Sequence, residues 1–177
     1  RLYSVIASKF PIQQQTVIAH KNTYGHVNKY QYFQADSFYV DIDVPEGKLR
    51  VFNTHFKCIT GPDHRLSQFK EVIDYLSPDR QNIICGDFNT FGKPLLNILL
   101  WKFYGYKLHE IKVNENKELA ALFGTHGLKN PLQRQVTFWK FPVQLDYILV
   151  PSFVEVKKKR VFLRPHGSDH FPLLLEI

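Results

Sequence analysis

The chain has 177 residues, 44% of them hydrophobic and 15% aromatic, enough for one domain with a substantial core and incompatible with a disordered chain. No apolar run reaches the roughly 18 residues that a membrane-spanning helix needs. Lys and Arg number 23 against 16 Asp and Glu, a formal net charge of +7; unless that excess serves solubility alone, it favours polyanionic partners such as nucleic acid, anionic lipid or a phosphorylated metabolite.

The run from Tyr3 to Ile12 reads as a strand closed by Pro11. Residues 13–34 are polar and aromatic, with His20, Tyr24, His26, Tyr30 and Tyr32, and their periodicity is poor; they read either as a strand with a substrate-facing loop or as a solvated connection. From Ala35 to Val44 the pattern alternates, with Phe38, Val40, Ile42 and Val44 on one face and Tyr39, Asp41 and Asp43 on the other, as in a half-buried strand. Pro45 to Lys48 is a turn, and Leu49 to Phe56 returns as the second arm of a hairpin that ends in Asn53-Thr54-His55.

Pro62 to Leu76 predicts an amphipathic helix whose buried stripe is Leu66, Phe69, Ile73 and Leu76, with Arg65, Gln68 and Lys70 off it. Arg65 can there reach an anion or an acidic side chain, but the pattern favours a solvated or structural role; with Asn53 it is also a candidate substrate contact. Ser77-Pro78-Asp79 stops the helix. Asn82 to Cys85 is an apolar strand ending in Gly86-Asp87-Phe88-Asn89, so strand, helix and strand form a βαβ-like unit. Polar residues just past the carboxyl end of such a strand lie where open α/β sheets place ligands, although Gly, Asp and Asn also make ordinary turns.

Beyond this point, Pro94 to Trp101 is apolar and helical, and 110–127 is the least ordered stretch, with one or two helical turns at Glu118 to Phe123. Thr137-Phe138-Trp139 suggests a short strand, and Gln144 to Val150 a clear one stopped by Pro151. Phe153 to Leu163 is a further strand carrying Lys157-Lys158-Lys159-Arg160, which either tracks a phosphate backbone or guards a sheet edge. The last strand follows Ser168-Asp169-His170-Phe171-Pro172. An Asp-His pair there supplies a tautomer-fixing or metal-binding carboxylate and a general acid or base.

Four strand ends thus carry polar residues: His55, Asp87 with Asn89, Asp146, and Asp169 with His170. Converged, they suit metal-assisted attack of water on a phosphate ester, with carboxylates on a hard cation and donors on the phosphate oxygens. There is no zinc-type Cys/His spacing, Gly-rich phosphate loop or Gly-x-Ser-x-Gly elbow.

The runs Asn53-Thr54-His55, Ile84-Cys85-Gly86-Asp87-Phe88-Asn89, Leu145-Asp146-Tyr147-Ile148-Leu149 and Ser168-Asp169-His170-Phe171-Pro172, with the early Tyr3 to Ile12 segment, resemble the endonuclease/exonuclease/phosphatase superfamily. That family includes nucleases, neutral sphingomyelinases, deadenylases and inositol polyphosphate phosphatases. The resemblance implies a four-layer α/β sandwich of two packed, mixed or antiparallel sheets flanked by helices, and hydrolysis of phosphoesters with Mg²⁺ or Mn²⁺. By motif, His55 would bond the scissile phosphate, Asp87 would position or activate water, and Asn89 would contact the phosphoryl transition state. Asp146 would orient a catalytic histidine or assist the phosphate site, Asp169 would serve the metal site with Asp87, and His170 would be the acid/base or polarising group.

The family's earlier strands, one ending in Asn and one in a Gln-Glu whose glutamate is the principal Mg²⁺ ligand, do not precede Tyr3 here. With no methionine in the chain and Arg1 at its start, the expectation is a single domain over residues 1–177 that lacks its amino-terminal part and two sheet strands. The expected activity is a monomeric, metal-dependent endonuclease or phosphodiesterase acting on nucleic acid. The alternatives are a phosphatase or phospholipase C-type hydrolase of inositol phosphates or sphingolipids, and a catalytically impaired binding module. Two cysteines make no disulfide framework, which points to the cytoplasm.

Overall fold

The computed structural model describes residues 4–21, 36–58, 60–92, 94–104, 106–164 and 167–177, without the side chains at 96, 100 and 102–104. The alternating 36–56 segment folds as the hairpin its pattern predicts. Strand β2 (Asp36–Val44) pairs antiparallel with β3 (Gly47–His55) around a two-residue Pro45-Glu46 turn. Helix α1 (Pro62–Ile73) carries the chain back so that β4 (Gln81–Asp87) lies parallel to β3, as the βαβ reading requires. With β1 (Ile12–Ile18), β5 (Leu128–Lys129) and β6 (Asp146–Pro151), these strands form one mixed sheet in the order β1-β2-β3-β4-β6-β5. Strands β7 (Lys158–Val161) and β8 (Leu173–Glu176) form a separate antiparallel pair. Helices α2 (Pro94–Tyr104) and α3 (Glu115–Thr125) complete the α/β fold.

One face of the central strands is the core. Phe52, Ile84, Tyr147 and Leu149 pack against Phe69 and Val72 of α1 and Leu119 and Phe123 of α3, with Phe56 and Phe88 just past the ends of β3 and β4. Phe88 stacks on Tyr147 with centroids 4.5 Å apart, and Phe69 meets Phe123 edge-on at 5.2 Å, geometries that suit the aromatic quadrupole.

Several local expectations are corrected. The first strand is Ile12–Ile18 rather than Tyr3–Ile12. It is the sheet's outer strand and most of its side chains face solvent, so no apolar alternation marks it. Tyr24, His26, Tyr30 and Tyr32 lie outside the described residues. Asp41 is buried instead of solvated, because Arg50 grips both its oxygens at 2.8 Å; this bidentate bond holds the Asp41 carboxyl below the ordinary carboxylate range. The buried face of α1 also differs, holding Pro62, Arg65, Gln68, Phe69 and Val72. Helix α3 is three turns long where one or two were expected, capped by the Asn114 side chain on the Lys117 N–H. The 153–163 strand shrinks to four residues.

Arg65 is fully buried and donates to both oxygens of the equally buried Glu115, at 2.7 and 3.0 Å, and to the Thr60 carbonyl. A buried pair of this kind offsets its own desolvation but strongly penalises loss of one partner. Glu115→Gln is expected to destabilise the fold by about 3–5 kcal/mol, and the combined Arg65→Met/Glu115→Leu exchange to recover most of it. Urea unfolding of the variants measures both.

Candidate active site

Strand register builds the site. Asp36 pairs with His55, His55 with Asp87, and Asp87 with Asp146, so four polar residues stand in one row across β2, β3, β4 and β6. Residues in register on neighbouring strands share a face, and this row lies on the face opposite Phe52, Ile84 and Tyr147. His55 Nε2 lies 3.8 Å from Asp87 Oδ2. His170 enters from the loop before β8, where Phe138 and His170 form an isolated antiparallel bridge. Its Nδ1 lies 2.8 Å from Asp146 Oδ2.

Thr137 fixes how β6 begins. Its buried hydroxyl accepts the Leu145 and Asp146 N–H groups at 2.9 and 3.0 Å, and its carbonyl accepts the Phe171 N–H at 2.7 Å. Gly86 fixes how β4 ends. It has φ +140°, and a Cβ there would stand 1.9 Å from the Thr54 carbonyl oxygen, so only glycine permits this approach of β4 to β3. Asn89 follows in the left-handed region at φ 51°. Its N–H donates to Asp87 Oδ1 and its side-chain amide to the Phe56 carbonyl, both at 2.8 Å.

The electrostatics divide the groups. Burial, then the neighbouring charge of Asp146, pushes Asp87 up to about 7. The hydrogen bond to Asp146 raises His170 above the ordinary imidazole range despite its burial. Burial lowers His55. Near neutral pH the site therefore combines a carboxyl able to give or take a proton, an imidazole whose protonated form a neighbouring carboxylate favours, and an imidazole whose neutral form burial favours.

One ligand atom each of Asp87, Asp146 and His170 lie within 4.8 Å of one another. Two carboxylates close enough for one to raise the other are a donor set that a divalent cation would relieve, and hard cations prefer carboxylate oxygen. These residues fit such an ion; its identity is open.

The remaining candidates hold other partners. Asp169, expected at the metal, instead pairs with Lys140 at 3.0 Å, is 46% exposed at its side chain, and is held below the ordinary carboxylate range by that lysine. Arg65, expected at the substrate, has its guanidinium closed around Glu115 and Thr60, although its charge favours ionised Asp87. Asn53 shares the face of His55 two residues away and donates to the Val5 carbonyl. Sequence reasoning missed Asp36, whose charge favours protonated His55; counting back along the hairpin from the Val44–Gly47 pair places it opposite His55. It also missed Thr137 and Lys140. Cys58 and Cys85 are not in a disulfide.

The sequence profile of the Endonuclease/Exonuclease/phosphatase family matches residues 4–170. The chain belongs to that family. Its fold is similar to that of an endonuclease/exonuclease/phosphatase from Beutenbergia cavernae, at 17% identity and TM-score 0.68, over 95% of this chain and 45% of that one. It is also similar to D. rerio TDP2 complexed with a single-strand DNA product, at 14% identity and TM-score 0.57, over 93% of this chain and 66% of that one. A third is the Bacteroides thetaiotaomicron mannosyl-6-phosphatase Bt3783, at 17% identity and TM-score 0.57, over 95% of this chain and 67% of that one. The chain thus spans about half the length of the first of these structures and about two thirds of the other two. No curated protein is significantly similar in sequence. Among the described residues, no helix is long and apolar enough to cross a membrane.

Two outcomes are expected. An acid whose pKa is raised by folding holds its proton in the folded state but loses it in the unfolded one between about pH 4 and 7, so Asp87 lowers stability as pH rises through that interval. In EDTA, Asp87→Asn is expected to be more stable than the parent at pH 8 by roughly 1–2 kcal/mol, after discounting for partial exposure, with the difference vanishing towards pH 4. Melting temperature against pH reads this. Gly86→Ala is expected to cost about 3 kcal/mol or more, through backbone strain and the clash with Thr54, measured by thermal unfolding.

Proposed function

We propose that this protein hydrolyses phosphoester bonds with a divalent metal, and that its substrate is a phosphodiester of nucleic acid. The supporting observation is the convergence of His55, Asp87, Asp146 and His170 at one end of the sheet, with Asp87, Asp146 and His170 close enough to share an ion. Asp87 and Asp146 would hold the metal, with His170 beside them, and the metal would supply positive charge to a phosphate oxygen. Asp87, a carboxylate once it holds the cation, would position the attacking water. His170, whose protonated form Asp146 favours, would offer charge to the developing phosphorane or a proton to the leaving oxygen. Neutral His55 donates a hydrogen bond to a phosphate oxygen. Asn89 braces the loop, its N–H on Asp87 and its amide on Phe56.

Two features favour nucleic acid. The net charge is +7. An aromatic segment adjoins the catalytic histidine, with the Phe138 ring 5.1 Å from that of His170 and Trp139 and Phe141 each more than half exposed, as a base-stacking surface requires. TDP2 was captured with a single-strand DNA product. The second reading, a phosphatase acting on a small phosphorylated molecule, is supported by likeness to a mannosyl-6-phosphatase.

The test is Mg²⁺-dependent turnover, by the full-length gene product, of plasmid, single-stranded oligonucleotide and a panel of phosphate monoesters, with EDTA and His170→Ala controls. Metal-dependent strand cleavage that falls at least about 100-fold in kcat for His170→Ala is the expected result. Monoester hydrolysis without cleavage would move the assignment to the phosphatase reading. A folded protein with no turnover of any substrate would refute the hydrolase and favour a binding module.

A further inference from the structure

On the α3 side of the sheet, the face opposite the row of His55, Asp87 and Asp146, lies a cavity of about 840 Å³ that none of His55, Asp87, Asp146 or His170 lines. It runs between α3 and the 128–136 segment, with Phe91 and Gly92, just beyond Asn89, at one end and Tyr147 and Val143 in its wall. Its lining is chemically one-sided: six amide side chains and three cations, Lys117, Lys129 and Arg134, with no carboxylate. A solvated face of random composition mixes both signs; cations interleaved with amides and facing no acid match phosphate oxygens and the hydroxyls or bases around them.

The cavity is braced from within. Gln144 Oε1 accepts the Arg134 N–H at 3.1 Å and the Asn130 side-chain amide at 3.3 Å, while its own amide donates to the Asp146 carbonyl. Arg134 thereby sits at φ 66°, one of two non-glycine residues in the left-handed region among the described residues; the other is Asn89 at the catalytic end. Backbone strain of this kind persists only where surrounding contacts enforce it. Lys129 is engaged with the Val154 carbonyl and Asn116 with the Tyr147 hydroxyl. The exposed Lys117 and Arg134 side chains meet no polar partner among the described residues.

We infer that this groove is a second anion subsite, in which Lys117 and Arg134 hold a phosphate of the substrate other than the one cleaved. The inference rests on the phosphoesterase reading for its link to catalysis, but the binding site stands on its own lining. It requires a ligand with at least two phosphates, which either a nucleic acid strand or a small polyphosphorylated ester supplies.

The test is binding in EDTA, to a fluorescent oligothymidylate of about 12 nucleotides and, separately, to inositol hexakisphosphate, by the parent, Lys117→Ala/Arg134→Ala, and Lys48→Ala/Lys70→Ala. The last removes the same charge at the far end of the sheet, where β3 begins and α1 ends. The expected result is at least about tenfold weaker binding of one ligand by Lys117→Ala/Arg134→Ala, less than about twofold by the control, and, for the oligonucleotide, a salt slope shallower by about 1.4. The ligand that responds names the source of the second phosphate. Unchanged binding, an equal loss in the control pair, or no binding of either ligand would overturn the inference. Parent turnover of bis-p-nitrophenyl phosphate with Mg²⁺, measured in parallel, separates the two claims. Absent turnover with groove-dependent binding refutes only the hydrolase, and turnover with groove-independent binding refutes only the subsite.

Discussion

The close parallel approach of β3 and β4, permitted by Gly86 against the Thr54 carbonyl, is the constraint on which the rest of the site depends. It sets His55 opposite Asp87 at the carboxyl ends of both strands. Because β2 and β6 then run antiparallel to their neighbours, their first residues, Asp36 and Asp146, meet the same row. A one-residue slip would turn every one of these side chains to the other face and bring the apolar set out of the core. The packing of Phe52, Ile84, Tyr147 and Leu149 therefore holds the register of this polar row as well as the fold.

Charge is distributed along that row so that each group differs from its neighbour. Burial and Asp146 together push Asp87 up to about 7, and the same Asp146 raises His170 above the ordinary imidazole range. One carboxylate thus acts in the same sense on an acid and a base, favouring the protonated form of each. The aromatic segment at 138–141 and the amide-lined groove lie on different sides of this centre, joined to it through the Phe138–His170 bridge and through Gln144 on the Asp146 carbonyl.

On the helical side, the buried Arg65–Glu115 pair ties α1 to α3. A fully buried guanidinium needs a partner of matching geometry, and Glu115 provides it at the first residue of α3. The pair holds in place the helix that walls the groove, so of the partners the sequence offered Arg65, an anion or an acidic side chain, the structure supplies the acidic side chain.

The sequence by itself determined the hairpin, the βαβ unit, the identity of the polar strand ends and the family, because alternation, helical spacing and short motifs are local and read directly along the chain. It did not determine the outer strand β1, whose solvent-facing residues carry no apolar signal, or the length of α3, whose burial comes from a partner 50 residues away. Among the site residues, local chemistry marked His55, Asp87, Asp146 and His170, but Asp169 and Arg65 look equally reactive in the sequence. Only the tertiary structure shows their partners, Lys140 for one and Glu115 for the other. It also brought in Asp36 and Thr137, since a side chain's role follows from which distant strand or loop it faces, and that is settled by sheet register and packing.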